Sequence, residues 1–412
     1  MNARIDVLHR PYSPQSESFF LRIVEDIGQA LEPTPTQLDS LERSYKSTGD
    51  FLVQCPEFQG QLEEVYAQGS RALGTMTRPT NKTIGYDVDL VARLNANAFK
   101  IYSGDSGAIV LMNRLHSAIS RYANQHGLVL RRWERCVTLN YSDGMCADIA
   151  PVIDFPNRTA IYGESHGLIP DRNLSSFHPT NPRGFSKLFN EIAAISPIFT
   201  HVGLESLSEE IRKADLTPLP SVEVFERPVC RLIQVMKIHR DVTFSSSEMS
   251  SLSPSSIFIT ALVAKIYKVK AKIPHLNQVD LLLDVIRSMP EAIDKKFHSY
   301  NEVEWVMDNP TAPGDNLASS MNSSEKQQAF TQWHKKLVSD VLSLINSVEL
   351  RQGQDKFFSL ITSNFGDKAG AAVRNRAIDR QSLDRQRKNM KNVTSAGLVI
   401  PISSRDHTFF GA

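Results

Sequence analysis

Apolar residues return every three or four positions at Phe19, Phe20, Ile23, Val24, Ile27, Ala30 and Leu31, the repeat of a helix with one buried stripe. Pro33 and Pro35 interrupt the rhythm, and Leu38, Leu41, Tyr45, Phe51 and Leu52 resume it. Two N-terminal helices are expected, bracing a sheet. Residues 106–126 predict another helix, with Ile109, Val110, Met112, Leu115, Ile119 and Tyr122 as its apolar face and Gly127 as its stop. Short apolar runs at 87–92, 128–130, 136–139 and 145–153 read as strands. Residues 154–184 carry scattered Pro and Gly without a period, and a loop of that length normally borders an active site. The proline-dotted stretch 200–227 reads as the passage into a second, helical domain.

In that domain, residues 229–240 place Val229, Leu232, Ile233 and Met236 on one helix face and Gln234, Lys237 and Asp241 on another. Ser253 and Pro254 suit the N-cap and first position of a further helix, with Ser255 and Ser256 in its first turn. Free N–H groups and the dipole of such a turn favour phosphate. Residues 324–350 predict a long amphipathic helix through Phe330, Trp333, Leu337, Val341, Leu344, Ile345 and Val348. From Gly366 the pattern fails. Residues 374–392 hold seven Lys or Arg against two Asp, the composition of a flexible or weakly helical basic tail.

The chemistry concentrates at Gln68-Gly69-Ser70-Arg71 and at Tyr86-Asp87-Val88-Asp89-Leu90. Gly74, Pro79, Asn81 and Gly85 turn the spacer between them. Side chains two apart on a strand share a face, so Asp87 and Asp89 point the same way. Paired carboxylates repel unless a cation lies between them, and Mg²⁺ takes one or two carboxylates plus phosphate oxygens. A third carboxylate is expected from Asp148, near the start of its apolar run. Asp143 precedes Gly144 and reads as a turn residue, and Asp154 lies at the far end of the run. Arg131-Arg132-Trp133-Glu134-Arg135 reads as a charged edge strand, with contact to nucleotide phosphate and base as the alternative.

Gly69-Ser70, Asp87-x-Asp89 and Asp148 resemble the DNA-polymerase-β-like nucleotidyltransferases. Over residues 50–330 the chain is similar to the bacterial CD-NTases of anti-phage signalling systems, relatives of cyclic GMP–AMP synthase and oligoadenylate synthase. The resemblance implies an α+β fold: a polymerase-β-like core, with a mixed sheet flanked by helices, and a helical oligoadenylate-synthase-like C-terminal domain. Its boundaries are expected at 1–215 and 216–365, with the tail at 366–412. It further implies two Mg²⁺ ions, or Mn²⁺ in their place, on Asp87, Asp89 and Asp148. Gln68, Gly69, Ser70, Lys237, Ser255 and Ser256 would hold the nucleotide, with Lys237 reaching its triphosphate. Asn181-Pro182-Arg183-Gly184-Phe185 resembles a segment that follows the third carboxylate in some of these synthases. Asp308-Asn309-Pro310-Thr311-Ala312-Pro313-Gly314-Asp315-Asn316 resembles a structural N-P-x-x-P-x-x-N turn. NTPs, ATP among them, would be joined to a linear intermediate and cyclised to a di- or trinucleotide for a downstream effector. Some relatives are conjugated at their C-terminus by ubiquitin-transfer-like enzymes. Phe409-Phe410-Gly411-Ala412 suggests Ala412 as such a handle, against a frayed end that packs back.

Composition narrows the alternatives. With 46 Lys plus Arg against 45 Asp plus Glu, the net charge of +1 is not that of a nucleic-acid coat. A tRNA-end polymerase would carry a stronger basic field. A linear-oligonucleotide polymerase, a protein-nucleotidylating toxin and an idle nucleotide-binding scaffold remain as rivals. Cys55, Cys136, Cys146 and Cys230 are scattered, which argues against a zinc site or disulfide framework. No run of 18 apolar residues would span a membrane, and the start lacks a signal-peptide core; the cytosol is the expected location.

Overall fold

The computed structural model describes residues 12, 14–78, 86–141, 144–155, 165–200, 227–299, 302–350 and 352–390. In chain order the elements are α1 (Pro14–Ala30), α2 (Pro35–Gln54), β1 (Leu62–Ala67), α3 (Gly69–Leu73), β2 (Asp87–Leu94), α4 (Ala96–Tyr102) and α5 (Gly107–His126). Then follow β3 (Val129–Arg132), β4 (Val137–Asn140), β5 (Cys146–Asp154), β6 (Gly167–Asp171), β7 (Ser176–Thr180) and α6 (Pro182–Ala193). The rest is α7 (Pro228–Thr243), α8 (Ser247–Ser250), α9 (Ser256–Lys270), α10 (Gln278–Arg287), the pair β8 (Asp294–Ser299) and β9 (Glu302–Val306), α11 (Ser324–Glu349), α12 (Gln354–Phe365) and α13 (Asp367–Met390).

Local chemistry explains the boundaries. Thr34 caps α2 in a reciprocal box with Gln37, and Pro35 takes the first turn. Gly127 ends α5 at φ +63°, as expected of a left-handed stop. The main sheet runs β1-β2-β5-β4-β3, with β6 on β5 and β7 on β6. It is mixed: β2 and β5 are parallel, while the other pairs are antiparallel. This is the expected α+β class, a mixed sheet with flanking helices.

Two apolar cores lie side by side. One joins the sheet to α2 and α5 through Leu41, Leu52, Leu90, Leu115, Ile119 and Ile149. The other joins α1, α6, α7, α9, α10, α11, α12 and α13. The expectation that both N-terminal helices brace the sheet therefore holds for α2 only. The α1 stripe of Phe20, Leu21, Ile23, Val24, Ile27 and Leu31 is buried in the helical core. Periodicity gives the buried stripe but not its partner. The expected domain boundary at 215–216 lies outside the described residues.

Within the stretch expected as a loop, Gly167–Asp171 and Ser176–Thr180 are strands. β6 and β7 form a hairpin in which Leu168 faces Pro179 and Pro170 faces Phe177. Prolines that cannot donate to a ladder disguised both strands. Asn181 then caps α6, accepting from Gly184 N at 2.8 Å, and its Nδ2 donates to the Thr311 carbonyl at 2.8 Å. The two motifs left without a chemical role thus tie one lobe to the other.

The basic segment expected as a flexible tail is helical from Asp367 to Met390. A narrow stripe of Ala369 and Val373 is buried, and Arg374 lies over the Phe358 ring at 5.1 Å. Arg376 and Arg380 both donate to Asp26 of α1, at 3.1 and 2.6 Å. Small residues and arginine anchors leave little hydrophobic period to read. Residues 391–412, with Ala412, lie outside the described residues. Since Asp26 is buried beneath two guanidinium groups, Asp26→Ala is expected to cost about 2 kcal/mol, read as a lower urea midpoint with unchanged slope. An unchanged midpoint would show that α13 is not held by this pair.

Candidate active site

The parallel pairing of β2 with β5 sets Asp89 directly beside Asp148. Asp87 lies two residues before Asp89 on the same face, so three carboxylates meet. One oxygen from each lies within 4.8 Å of the others. Burial first, then the charges of Asp148 and Asp89, push Asp87 up to about 8. Burial and Asp148 push Asp89 up to about 6. Burial also raises Asp148, against the Thr138 hydroxyl that donates to it. Asp87 keeps an exposed edge but lies within the cleft beside Asp89, where the surrounding protein still desolvates its carboxyl.

Gly69 is the only residue type that fits its position. At φ +60°, a Cβ there would lie 1.8 Å from Asp89 Oδ2. The Gln68 amide donates to the Asp89 carbonyl at 2.8 Å, fixing the turn to the strand. Gln68, Gly69 and Ser70 form one wall of a cleft of ≈ 520 Å³, with Asp87 and Asp89 also lining it.

The helical lobe supplies the facing wall: Lys237, Arg240 and Asp241 from α7, and Ser255 and Ser256 at the start of α9. Lys237 is buried, its Nζ donates to the Thr75 carbonyl at 3.0 Å, and burial draws its pKa down to about 8. Ser255, not Ser253, is the N-cap; its hydroxyl accepts from Phe258 N, and Ser256 is the first helical residue. Its extended backbone, φ −65° and ψ 150°, marks the boundary. Arg240 Nη1 donates to the Pro254 carbonyl and Ser256 Oγ, each at 3.0 Å, and thereby holds this turn.

Eight of the nine residues expected at the site line one cleft, and the ninth, Asp148, lies beside Asp87 and Asp89. Asp154 is not among them: it is buried and bidentate to Arg93 at 2.8 and 3.2 Å, an ion pair within the fold. Asp143 lies outside the described residues. Thr75, Thr77, Arg240, Asn309 and Asp315 also line the cleft and were missed, as do Asp241, placed by the sequence on the Lys237 face, and Arg135, given nucleotide contact only as an alternative. Arg240 lies three residues past Lys237, so helical spacing alone could have found it, as it did Asp241. The Arg-Trp-Glu-Arg stretch divides its work. Trp133 Nε1 donates to Thr138 Oγ1 at 2.8 Å, behind Asp148, while Arg135 pairs with Asp171 at 3.0 Å.

A strand-borne acidic trio beside a glycine–serine turn, faced by a buried lysine, is the arrangement that the nucleotidyltransferase resemblance implies. Residues 22–192 match the Second Messenger Oligonucleotide or Dinucleotide Synthetase domain family. A c-di-GMP synthase of Roseivirga ehrenbergii is 25% identical over 296 residues, 71% of this chain and 70% of that protein. The cyclic dinucleotide synthase CdnG of Bradyrhizobium diazoefficiens is 23% identical over 381 residues, 86% of this chain and 85% of that protein. The solved structure of that CD-NTase in complex with GTP superposes with TM-score 0.59 at 19% identity, covering 86% of this chain and 98% of that one. Residues 22–192 thus carry the match to the synthetase family, and the chain is similar to bacterial CD-NTases over most of its length. No helix among the described residues is long and apolar enough to cross a membrane.

The raised carboxylates set a pH dependence. Asp87 and Asp89 stay protonated to about 8 and about 6 when folded, against 3.8 as the ordinary value. The folded chain therefore binds more protons in this window, and stability falls as pH rises from about 4 to 8. The melting temperature of metal-free protein should decline across that range, and Asp87→Asn should flatten the decline. Mg²⁺ should raise it most at the alkaline end. A flat wild-type profile would contradict the crowding.

Proposed function

We propose that the protein joins nucleoside triphosphates into a cyclic di- or trinucleotide messenger, with Asp87, Asp89 and Asp148 as its metal-binding catalytic carboxylates. The observation that carries this reading is the acidic trio, within 4.8 Å, in a cleft that a buried lysine faces. The carboxylate-only donor set suits Mg²⁺, with Mn²⁺ as a substitute, and the crowding that raises their pKa values is what a bound cation relieves. Bound there, the metal supplies positive charge for the triphosphate and acidifies the acceptor hydroxyl.

The remaining work falls to the chain's own groups. Thr138 orients Asp148 through its hydroxyl. Gly69 lets the backbone approach the phosphates without a side chain in the way. Ser70 Oγ and the Gln68–Ser70 turn receive the phosphate oxygens, and Lys237 meets them from the helical lobe as a compact point charge. Ser255 and Ser256 close the site at the N-terminus of α9. ATP and GTP are the substrates we assign. Both curated relatives are named for cyclic dinucleotides, one of them for c-di-GMP, so a two-nucleotide ring containing guanosine is the first product to seek. Its reader would be a downstream effector in anti-phage defence.

Incubation of purified protein with four NTPs and Mg²⁺ should give phosphatase-resistant products with the mass of a cyclic oligonucleotide; linear products would remove the cyclase reading. Asp87→Asn or Asp89→Asn should slow turnover about 10²-fold or more, about 3 kcal/mol of transition-state stabilisation, with the circular dichroism spectrum unchanged. Lys237→Ala should raise KM for NTP more than it lowers kcat. An unaltered KM would separate this lysine from the triphosphate.

A further inference from the structure

We propose that the Thr75 hydroxyl is a phosphate-binding group of the cleft, left unpaired in the free protein for an oxygen of the bound triphosphate. The inference rests on the nucleotidyltransferase reading above.

Thr75 is 1% exposed, and its Oγ1 is a buried oxygen without a hydrogen-bond partner. Other deeply buried hydroxyls among the described residues show how unusual that is. Thr48 pairs with Tyr141, Thr138 with Trp133 and Asp148, Thr260 with the Ser256 carbonyl and Ser347 with the Leu344 carbonyl. An unmade hydrogen bond at a buried hydroxyl is unfavourable, and an apolar side chain of the same shape avoids it. Valine would serve the free fold better, so the oxygen needs another use.

The backbone of the same residue says what that use is. The Thr75 amide donates to the Ser70 carbonyl at 3.0 Å, and the Thr75 carbonyl accepts from Lys237 Nζ at 3.0 Å. Thr75 thus bridges the two residues assigned to the phosphate tail, one from each wall, and it lines the cleft itself. Its hydroxyl is buried, and Lys237 rests on its carbonyl. An arriving phosphate draws the ammonium away and brings its own oxygen to Oγ1. A hydroxyl donor adds to the lysine charge what the lysine lacks, a fixed direction.

The test compares wild type, Thr75→Val and Thr75→Ser by calorimetric binding of GTP, inorganic tripolyphosphate and GMP in the presence of Mg²⁺, together with melting temperatures without ligand. Thr75→Val should lose about 10-fold or more in affinity for GTP and tripolyphosphate, keep its affinity for GMP, and melt no lower than wild type. Thr75→Ser should bind all three as wild type does. Equal binding of GTP and tripolyphosphate by wild type and Thr75→Val would overturn the inference, as would a Thr75→Val that melts lower. If wild type itself binds neither GTP nor tripolyphosphate, the nucleotidyltransferase reading fails first.

Discussion

Three carboxylates brought together on adjacent parallel strands repel one another, and much of the site is arranged around that repulsion. The β2–β5 register makes the crowding unavoidable, because Asp89 and Asp148 are direct neighbours. Such a cluster disfavours the free fold at neutral pH. It is tolerated because strand hydrogen bonds and the apolar core beneath over-determine the position of each Asp. Gly69 is shaped by the same constraint, since any side chain there would collide with Asp89.

Lys237 answers the cluster from across the cleft. It is the buried cation whose charge acts on both Asp87 and Asp89, and α7, which carries it, is packed on nearly every side. Its placement depends on how the lobes join. Asn181 reaches Thr311 on one side of the cleft. On the other side, Arg231 of α7 binds Glu25 of α1 and Glu32 just past its end, at 2.7 and 2.8 Å. Asp26, next in α1, takes the arginines of α13. α13 and the helix that carries Lys237 therefore share one support.

The gathering of the site residues was legible because its signals are local. Asp87-x-Asp89 needs only the two-residue repeat of a strand, and Gly69-Ser70 and Asp148 needed only neighbouring residue types and the family likeness they carry. Long helices such as α5 and α11 followed from periodicity. What was not legible depends on partners distant in sequence. The α1 stripe names a buried face without saying that it meets α7 and α11. Pro170 and Pro179 hid a hairpin, and the arginines of α13 look solvated until Asp26 is placed beneath them. Thr75 carries no signal as a residue type. Its meaning lies in one unpaired oxygen between Ser70 and Lys237.

The central claim is that the trio exists to be neutralised by divalent cations together with a triphosphate. Electron paramagnetic resonance of free Mn²⁺, titrated into the protein with a non-hydrolysable GTP analogue, tests it most directly. The account predicts two ions taken up per chain, tightened by the analogue, and loss of that uptake in Asp89→Asn. Uptake by Asp89→Asn equal to that of the wild type would contradict it.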